Sequence, residues 1–275
     1  MADPRPIGVF DSGVGGLTVA RAILEDLPNE PLRYVGDTAR CPYGPRPLEE
    51  IRRFGLELAG HLLARDVKML VVACNAISVA AFDDIVTTAG DVPVVGVIDP
   101  AVRTALQVTR VGRIGVIGTH ATVDSGAYDR AVRRASDQAG RSVELASRAC
   151  PAFVEFVERG DTASPELVAI ARSYLEPLVA AGVDTLILGC THYPLLQGLI
   201  QYVMGPEVTL VSSAGETAKD VYAALVRGNL LREDPALPRH DFRCTGDPDV
   251  FRRIAGRFIG PVVGDVAPVE EPVWS

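Results

Sequence analysis

Short apolar runs alternate along the chain with longer stretches in which apolar residues recur at the spacing of a helix face. The runs are rich in valine and isoleucine, which favours strands. They predict eight strands, over Ile7–Phe10, Arg33–Gly36, Met69–Ala73, Val94–Val97, Ile114–Ile117, Val143–Ala146, Thr185–Leu188 and Val208–Val211. The longer stretches predict helices that include Gly16–Leu27, Leu48–Arg65, Ala121–Ser136, Pro165–Ala181 and Glu216–Arg227. Such alternation is typical of parallel sheets flanked by helices, so we expect an α/β fold.

Part of this pattern occurs twice. Three segments of the first half have counterparts in the second: Ile7–Asp11 with Ile114–Gly118, Val71–Asn75 with Ile187–Thr191, and Val92–Val97 with Val208–Ser213. We therefore expect two related α/β halves, each with one cysteine at the end of a strand. General similarity among α/β segments is the alternative explanation. The last residues, Pro261–Ser275, are rich in proline and valine and predict an extended end.

Composition and charge exclude several classes of function but say little more about the fold. The 275 residues carry a net charge of −8, which argues against a general nucleic-acid binder. Residues 1–6 lack the apolar region of a signal peptide, and the longest apolar stretch, Met69–Phe82, is too short to span a membrane. The five cysteines are widely spaced and form no CxxC pair, so we expect reduced thiols, no metal site and a cytoplasmic location.

Two of the cysteines, Cys74 and Cys190, each follow a predicted strand and precede a helical stretch. Asn75 is expected to cap the first helix, and Thr191 and Pro194 are suited to begin the second. A thiol at a helix N-terminus has its thiolate stabilised by backbone N–H groups. A single cysteine is more often a small buried apolar residue, but two in matching positions favour a functional pair.

Each of these thiols has a potential proton-exchange partner. His192 lies two residues after Cys190, and imidazole titrates near neutral pH. Asp11 follows the first strand, which should neighbour the strand of Cys74. Considered alone, Asp11 is better explained as a turn or cap residue before the glycine loop. We assign no role to His120.

Two loops could hold a ligand. Residues 11–16, Asp-Ser-Gly-Val-Gly-Gly, match neither the dinucleotide nor the P-loop fingerprint, but their N–H groups would suit a carboxylate as well as a phosphate. The segment Cys41–Pro45 offers Tyr43 and Gly44, although a plain proline turn explains it equally well. Because ligands bind beyond the carboxyl ends of parallel strands, both cysteines should face one cleft between the two sheets.

A pair of thiols suits inversion at a carbon centre. One thiolate takes a proton from one face, and one thiol returns a proton to the other face. Because the two groups are identical, they can run the reaction in both directions. The sequence shows no obvious pyridoxal lysine and no metal cluster, so we expect no cofactor.

Five segments around these residues form a recognisable set: Gly8–Thr18, Tyr34–Thr38, Pro42–Gly44, Ala73–Asn75 and Gly189–Leu196. Together they resemble the glutamate racemase family, over nearly the whole chain. The resemblance implies a cofactor-independent racemase that makes D-glutamate for peptidoglycan. It also implies two α/β domains, with residues 1–97 and 209–275 in the first, residues 98–208 in the second, and the active site in the cleft between them.

The resemblance further implies roles for individual residues. Cys74 would deprotonate D-glutamate with help from Asp11, and Cys190 would deprotonate L-glutamate with help from His192. The substrate would be held by Asp11, Ser12, Tyr43, Gly44, Asn75, Ala76, Thr191 and His192. We expect a homodimer, and the resemblance also points to DNA gyrase, which some members of the family are reported to bind.

At residue 76 the chain departs from the family, which usually carries threonine or serine there. Ala76 keeps its backbone N–H but offers no hydroxyl. A hydrogen bond to a charged group is worth about 1.5–3 kcal/mol, so we expect weaker substrate binding. Ser78 is too far along the helix to be taken as a substitute.

Two other functions are possible. One is a related two-cysteine racemase that acts on aspartate or hydantoins, and the other is a non-catalytic binding protein such as a gyrase regulator. The motifs at Asp11-Ser12 and at residues 190–193 favour glutamate over the first. The intact cysteines and their neighbours argue against the second.

Overall fold

The computed structural model describes residues 3–269. The α-helices in this range are α1 Leu17–Asp26, α2 Leu48–Leu63, α3 Asn75–Ala89, α4 Ile98–Val108, α5 His120–Asp124, α6 Ala127–Ala139, α7 Ala152–Arg159, α8 Pro165–Ala180, α9 Gln197–Met204, α10 Ser213–Arg227 and α11 Pro248–Ile259. The strands are β1 Ile7–Asp11, β2 Leu32–Gly36, β3 Met69–Val72, β4 Val94–Gly96, β5 Arg113–Gly118, β6 Glu144–Ala149, β7 Thr185–Gly189, β8 Thr209–Ser212, β9 Asp241–Cys244 and β10 Val266–Pro268.

These strands form two sheets, in the orders β10-β9-β2-β1-β3-β4 and β6-β5-β7-β8. Every pairing between described strands is parallel. In β1, Val9 packs into a core with α1, whereas Phe10 packs into a second core with α2 and α3. A strand buried on both faces has no polar side to display, which explains the continuous apolar runs. The predicted class, parallel sheets flanked by helices, is confirmed.

The two sheets share one strand order. The order β2-β1-β3-β4 in the first sheet has the same form as β6-β5-β7-β8 in the second. It pairs β1 with β5, β3 with β7 and β4 with β8, as the repeated sequence segments predict. The first sheet is extended by β9 and β10. The domain boundaries near residues 98 and 208 stay a prediction, and β8, which begins just after the second of them, pairs with β7.

Some elements differ from the prediction. The helix predicted over Ala121–Ser136 is divided into α5 and α6 because Gly126 adopts a left-handed backbone with φ +65°. Strand β9 was missed because only alternate residues in it are buried, so it lacks an apolar run. The predicted extended end contains a 3₁₀ turn, Gly260–Val263, and strand β10, and its last residues, 270–275, lie outside the described residues. Residues 1 and 2, part of the N-terminal segment considered above, also lie outside them. None of the helices in the described range is long and apolar enough to cross a bilayer.

A buried ion pair between Lys68 and Glu30 links segments beside the first sheet that are distant in sequence. The Lys68 ammonium lies 2.5 Å from Glu30 Oε2. It also donates to the carbonyl oxygens of Asp3, at 2.8 Å, and Leu230, at 2.7 Å. The ammonium group is thus surrounded by one carboxylate oxygen and two carbonyl oxygens. The other Glu30 oxygen accepts from the backbone of Arg232 at 2.8 Å, so the pair holds the chain that leaves α10.

We predict that Glu30→Gln lowers the free energy of unfolding by about 3–5 kcal/mol, because it leaves the Lys68 charge buried without a counter-charge. Urea unfolding followed by far-UV circular dichroism measures the change. Glu25→Gln is the control, since it breaks an exposed pair with Arg21 and should cost less than about 1 kcal/mol. Equal effects of the two substitutions would contradict the prediction.

Candidate active site

A cavity of about 240 Å³ lies at the carboxyl ends of strands from both sheets. The first sheet lines it with the loops after β1, β2 and β3, and the second with those after β5, β6 and β7. The predicted site residues that line it are Ser12, Tyr43, Gly44, Cys74, Asn75, Ala76, Cys190, Thr191 and His192. Asp11 lies behind this surface and is fully buried. The fold therefore brings the predicted residues together, while their roles stay predictions.

Cys74 follows β3 and occupies the N-cap position of α3. The prediction that Asn75 caps this helix is wrong: Asn75 is its first residue, and the Cys74 carbonyl already accepts from Ser78 N at 2.9 Å. The Cys74 thiol donates to Ser12 Oγ at 3.5 Å. Burial, and then the carboxylate of Asp11, raises the pKa of Cys74 to about 12. Cys74 therefore holds its proton at neutral pH.

Asp11 ends β1 with its carboxyl group shielded from solvent. Its Oδ2 accepts from the Gly13 N–H at 2.9 Å, and its Oδ1 has no donor among the described residues. Burial raises the pKa of this carboxyl above its ordinary value, against the opposing effects of His192, nearby backbone N–H groups and the Cys74 thiol. A carboxyl group of raised pKa beside a thiol can exchange a proton with it.

The surroundings of Cys190 are different. No α-helix begins directly after it. A 3₁₀ turn over Tyr193–Leu196 follows, with His192 rather than Thr191 at its N-cap and Pro194 within it. The prediction of a helix capped by Thr191 is therefore wrong. A single tight turn aligns few peptide dipoles. A thiolate at Cys190 would therefore be stabilised by side-chain neighbours more than by a helix terminus.

The main such neighbour is His192. Its Nδ1 lies 3.9 Å from Cys190 Sγ, and its Nε2 lies 3.0 Å from Oε1 of Glu158. Burial lowers the pKa of His192, but its contacts with Cys190 and Glu158 outweigh burial and raise that pKa to about 10. The imidazole is therefore protonated at neutral pH and can donate from both nitrogens.

Glu158 is a member of this cluster that sequence reasoning missed. It lies on α7, 34 residues before His192 in the chain. A buried imidazolium calls for a carboxylate partner, and that rule alone could have prompted a search. It would not have distinguished Glu158 from Glu155, which lies on the same helix and lines the cavity but is exposed.

Helix α11, which packs beside β9, supports the same cluster. The Phe258 ring meets the His192 ring edge to face, with centroids 5.6 Å apart. The Arg257 guanidinium donates to the backbone carbonyl of Glu158 at 2.8 Å. The pair formed by His192 and Glu158 is thus held by side chains from a segment near the end of the chain.

The glycine loop after β1 reaches across to the Cys190 loop. A Cβ atom added at Gly15 would lie 2.3 Å from Thr191 Oγ1 and 2.5 Å from His192 Nδ1. The Thr18 hydroxyl lies 3.1 Å from the Thr191 carbonyl oxygen, to which it donates. The glycine is needed here because two loops touch.

Tyr43 and Gly44 meet the cavity in different ways. The Tyr43 hydroxyl donates to the buried carboxylate of Asp37, which also accepts from Thr245 Oγ1 at 2.7 Å. Its phenol group is therefore engaged by the protein, and its ring lines the cavity. The Gly44 carbonyl accepts from Ala121 N at 3.1 Å, which fastens this loop to the second half.

Asn75 and Ala76 form the wall beside Cys74. Asn75 Oδ1 accepts from the Tyr128 hydroxyl at 2.8 Å, and its buried Nδ2 has no partner among the described residues. Ala76 is nearly buried and offers only its methyl group and backbone. The Ser78 hydroxyl is directed to the Val72 carbonyl oxygen, 3.5 Å away, so it does not replace the hydroxyl absent at residue 76.

A third thiol, that of Cys41, also lines the cavity and is half-buried. Burial raises its pKa above the ordinary value for cysteine. Between residues 3 and 269, no three histidine, cysteine, aspartate or glutamate side chains are grouped as a metal site would require.

Comparison with known proteins agrees with this architecture. Residues 7–221 match the family model described as Asp/Glu/Hydantoin racemase. The glutamate racemase of Beutenbergia cavernae is 57% identical over 272 residues, which cover 95% of this chain and 91% of that protein. The glutamate racemase of Mycobacterium tuberculosis is 55% identical over 265 residues, with 96% of each chain covered.

Solved structures give the same result. A glutamate racemase isoform from Bacillus anthracis superposes with a TM-score of 0.91 at 41% identity, covering 98% of this chain and 99% of that one. The glutamate racemase of Francisella tularensis, solved in complex with D-glutamate, superposes with a TM-score of 0.90 at 34% identity and covers 98% of each chain.

We predict that Glu158→Gln lowers the pKa of His192 below its value of about 10, because it removes the carboxylate that stabilises the imidazolium. An NMR titration of the histidine ring protons measures it. Glu155→Gln, on the same helix, is the matched control and should leave the His192 titration unchanged. A shift of equal size in both variants would contradict the prediction.

Because the pKa of His192 is raised on folding from about 6.5, its protonation stabilises the folded state fully below pH 6.5. That contribution should be lost as the pH rises through about 10. Unfolding measured across this range should therefore show a smaller pH dependence in Glu158→Gln than in the wild type.

Proposed function

Because the chain belongs to the Asp/Glu/Hydantoin racemase family, we propose that it interconverts L-glutamate and D-glutamate. The observation that carries the proposal is the pair of thiols, Cys74 and Cys190, one after a strand of each sheet, that line a single cavity. Glutamate is favoured over aspartate or hydantoins because the similar curated proteins are glutamate racemases.

In the direction from L- to D-glutamate, Cys190 takes the α-proton and Cys74 returns one to the opposite face. Cys74 suits this step because its raised pKa keeps the thiol protonated. The protonated His192, whose Nδ1 lies 3.9 Å from Cys190 Sγ, places a positive charge beside the Cys190 thiolate that takes this proton. In the reverse direction Cys74 is the base, and Asp11 has the corresponding position beside it.

The α-proton of an amino acid is far less acidic than a thiol, so the carbanion must be stabilised. A turnover of about 10 per second allows a barrier of about 16 kcal/mol. Hydrogen bonds to the substrate carboxylate supply this stabilisation best where water is excluded. Asn75 Nδ2, the backbone N–H of Ala76 and the Thr191 hydroxyl are the donors we assign to it, with no cofactor.

The wider biological role in this proposal rests on the family resemblance. We propose a cytoplasmic enzyme that supplies D-glutamate for peptidoglycan and forms a homodimer. Binding to DNA gyrase rests on the same resemblance. A non-catalytic binding protein is disfavoured because both thiols and their neighbours are present.

Circular dichroism of L- and D-glutamate solutions tests the activity directly. Purified protein, dialysed against a chelator and without added cofactor, should bring both isomers to the same near-zero signal. Aspartate and a hydantoin, tested in parallel, should react much more slowly. Activity that appears only with pyridoxal phosphate or a metal would contradict the proposal, as would a preference for aspartate.

Proton exchange in D₂O assigns the two thiols. Cys190→Ala should still exchange the α-proton of D-glutamate, through Cys74, without inverting it. Cys74→Ala should exchange L-glutamate alone, and neither variant should racemise. NMR of the α-proton follows both isomers. Cys244→Ala, which changes a buried thiol in β9, is the control and should racemise normally. Racemisation by either single variant would refute the two-thiol mechanism.

Ala76→Thr should lower KM for glutamate by about tenfold in both directions, with kcat nearly unchanged. The reason is that a new hydroxyl beside Asn75 would bond the substrate equally in ground and transition states. Steady-state kinetics measures both constants.

Ala76→Val is the matched control, because valine has nearly the shape of threonine without the hydroxyl. It should leave KM unchanged or raise it by crowding the cavity. Residue 76 contributes only its backbone if neither Ala76→Thr nor Ala76→Ser lowers KM while both variants remain folded.

A further inference from the structure

We propose that Tyr128 is a positioning residue that fixes the Asn75 amide so that its NH₂ group faces the substrate carboxylate. This inference rests on the proposed function. Tyr128 lies on α6, in the second half of the molecule, and is only 2% exposed. Its hydroxyl donates to Asn75 Oδ1 at 2.8 Å, across the boundary between the two halves.

The phenol proton decides which way the amide points. Tyr128 has one O–H donor, and among the described residues its acceptor is Asn75 Oδ1. If the amide were turned over, its NH₂ group would donate to the phenol oxygen, and the buried phenol proton would have no acceptor. A buried donor without a partner is costly. The hydroxyl therefore holds the amide oxygen and turns Nδ2 away from Tyr128.

The Nδ2 group that results is buried and has no partner among the described residues. Asn75 lines the cavity, so a ligand oxygen there would satisfy this donor. A carboxylate can accept from it, whereas an amide oxygen facing the cavity would repel a carboxylate. The pair thus commits this part of the cavity to an acceptor and favours glutamate over its carboxamide analogues.

The position of the Tyr128 ring supports the assignment. A Cβ atom added at Gly189 would lie 3.2 Å from Tyr128 Cε2, so the ring packs beside the residue that precedes Cys190. The hydroxyl end reaches the residue that follows Cys74. One buried side chain therefore touches both cysteine segments, and its hydroxyl acts through Asn75 on one of them.

Tyr128→Phe tests this, because it keeps the ring and removes only the hydroxyl. The Asn75 oxygen would then be buried without a donor, so the amide should rotate it toward the cavity. Calorimetric titration should show Kd for D-glutamate weakened by roughly tenfold. Glutamine and isoglutamine each replace one carboxylate of glutamate with an amide. For the analogue whose amide lies at Asn75, Kd should change by less than about twofold.

Tyr193→Phe is the matched control, since it removes another buried tyrosine hydroxyl, one that donates to the Cys150 carbonyl oxygen at 2.9 Å. It should leave the ratio of glutamate to amide affinities unchanged. If Tyr128 had a role in packing alone, Tyr128→Phe would weaken the binding of glutamate and of both amides together. That result would overturn the inference.

A double-mutant cycle with Asn75→Ala shows whether Tyr128 acts through Asn75. In the Asn75→Ala background, Tyr128→Phe should change Kd for D-glutamate by less than about twofold. An equal effect in both backgrounds would overturn the inference. Calorimetry reports binding whether or not the protein racemises the ligand, so a wild type that binds glutamate but does not racemise it would refute the proposed function alone. Thermal melts of each variant confirm that it is folded.

Discussion

The site depends on one steric constraint: the carboxyl ends of two separate sheets must come close enough to share a cavity. That approach is possible because residue 15 has no side chain. A single methyl group there would occupy the space of the Thr191 hydroxyl and the His192 ring. The two thiols come from different sheets, so their common cavity exists only while these loops remain in contact. The fold thus uses the glycine loop of residues 11–16 as a point of contact between its halves.

The repeated topology does not repeat the chemistry. The strand orders match, and each half presents a cysteine after the corresponding strand. Yet Cys74 is the N-cap of an α-helix and lies beside a buried carboxyl group, whereas Cys190 precedes a 3₁₀ turn and lies beside a protonated imidazole. The two halves of a reversible reaction would therefore be run by groups with different electrostatic surroundings. L- and D-glutamate have equal free energies, but the fold does not give them equivalent catalytic groups.

What the sequence could predict follows from how local each signal is. Strands buried on both faces show as apolar runs, and Cys74 and Cys190 stand next to such runs. Strand β9 was not predicted because two of its residues, Asp241 and Arg243, are charged and pair with each other. Glu158 and Tyr128 were also not predicted as site residues. Each is distant in sequence from its partner and contacts it only because helices pack together. No spacing rule relates them to His192 or Asn75, so their place in the site is a property of tertiary structure.

The third thiol at the cavity has a consequence for how the site would be studied by covalent labelling. Cys74 and Cys190 are buried, whereas Cys41, which lines the same cavity, is partly exposed. An alkylating reagent that modified Cys41 would fill part of the cavity without touching either of the other sulfurs. Inactivation by alkylation would thus identify the cavity and not the acid/base pair. The stoichiometry and position of the label are informative only in a background where Cys41 has been replaced.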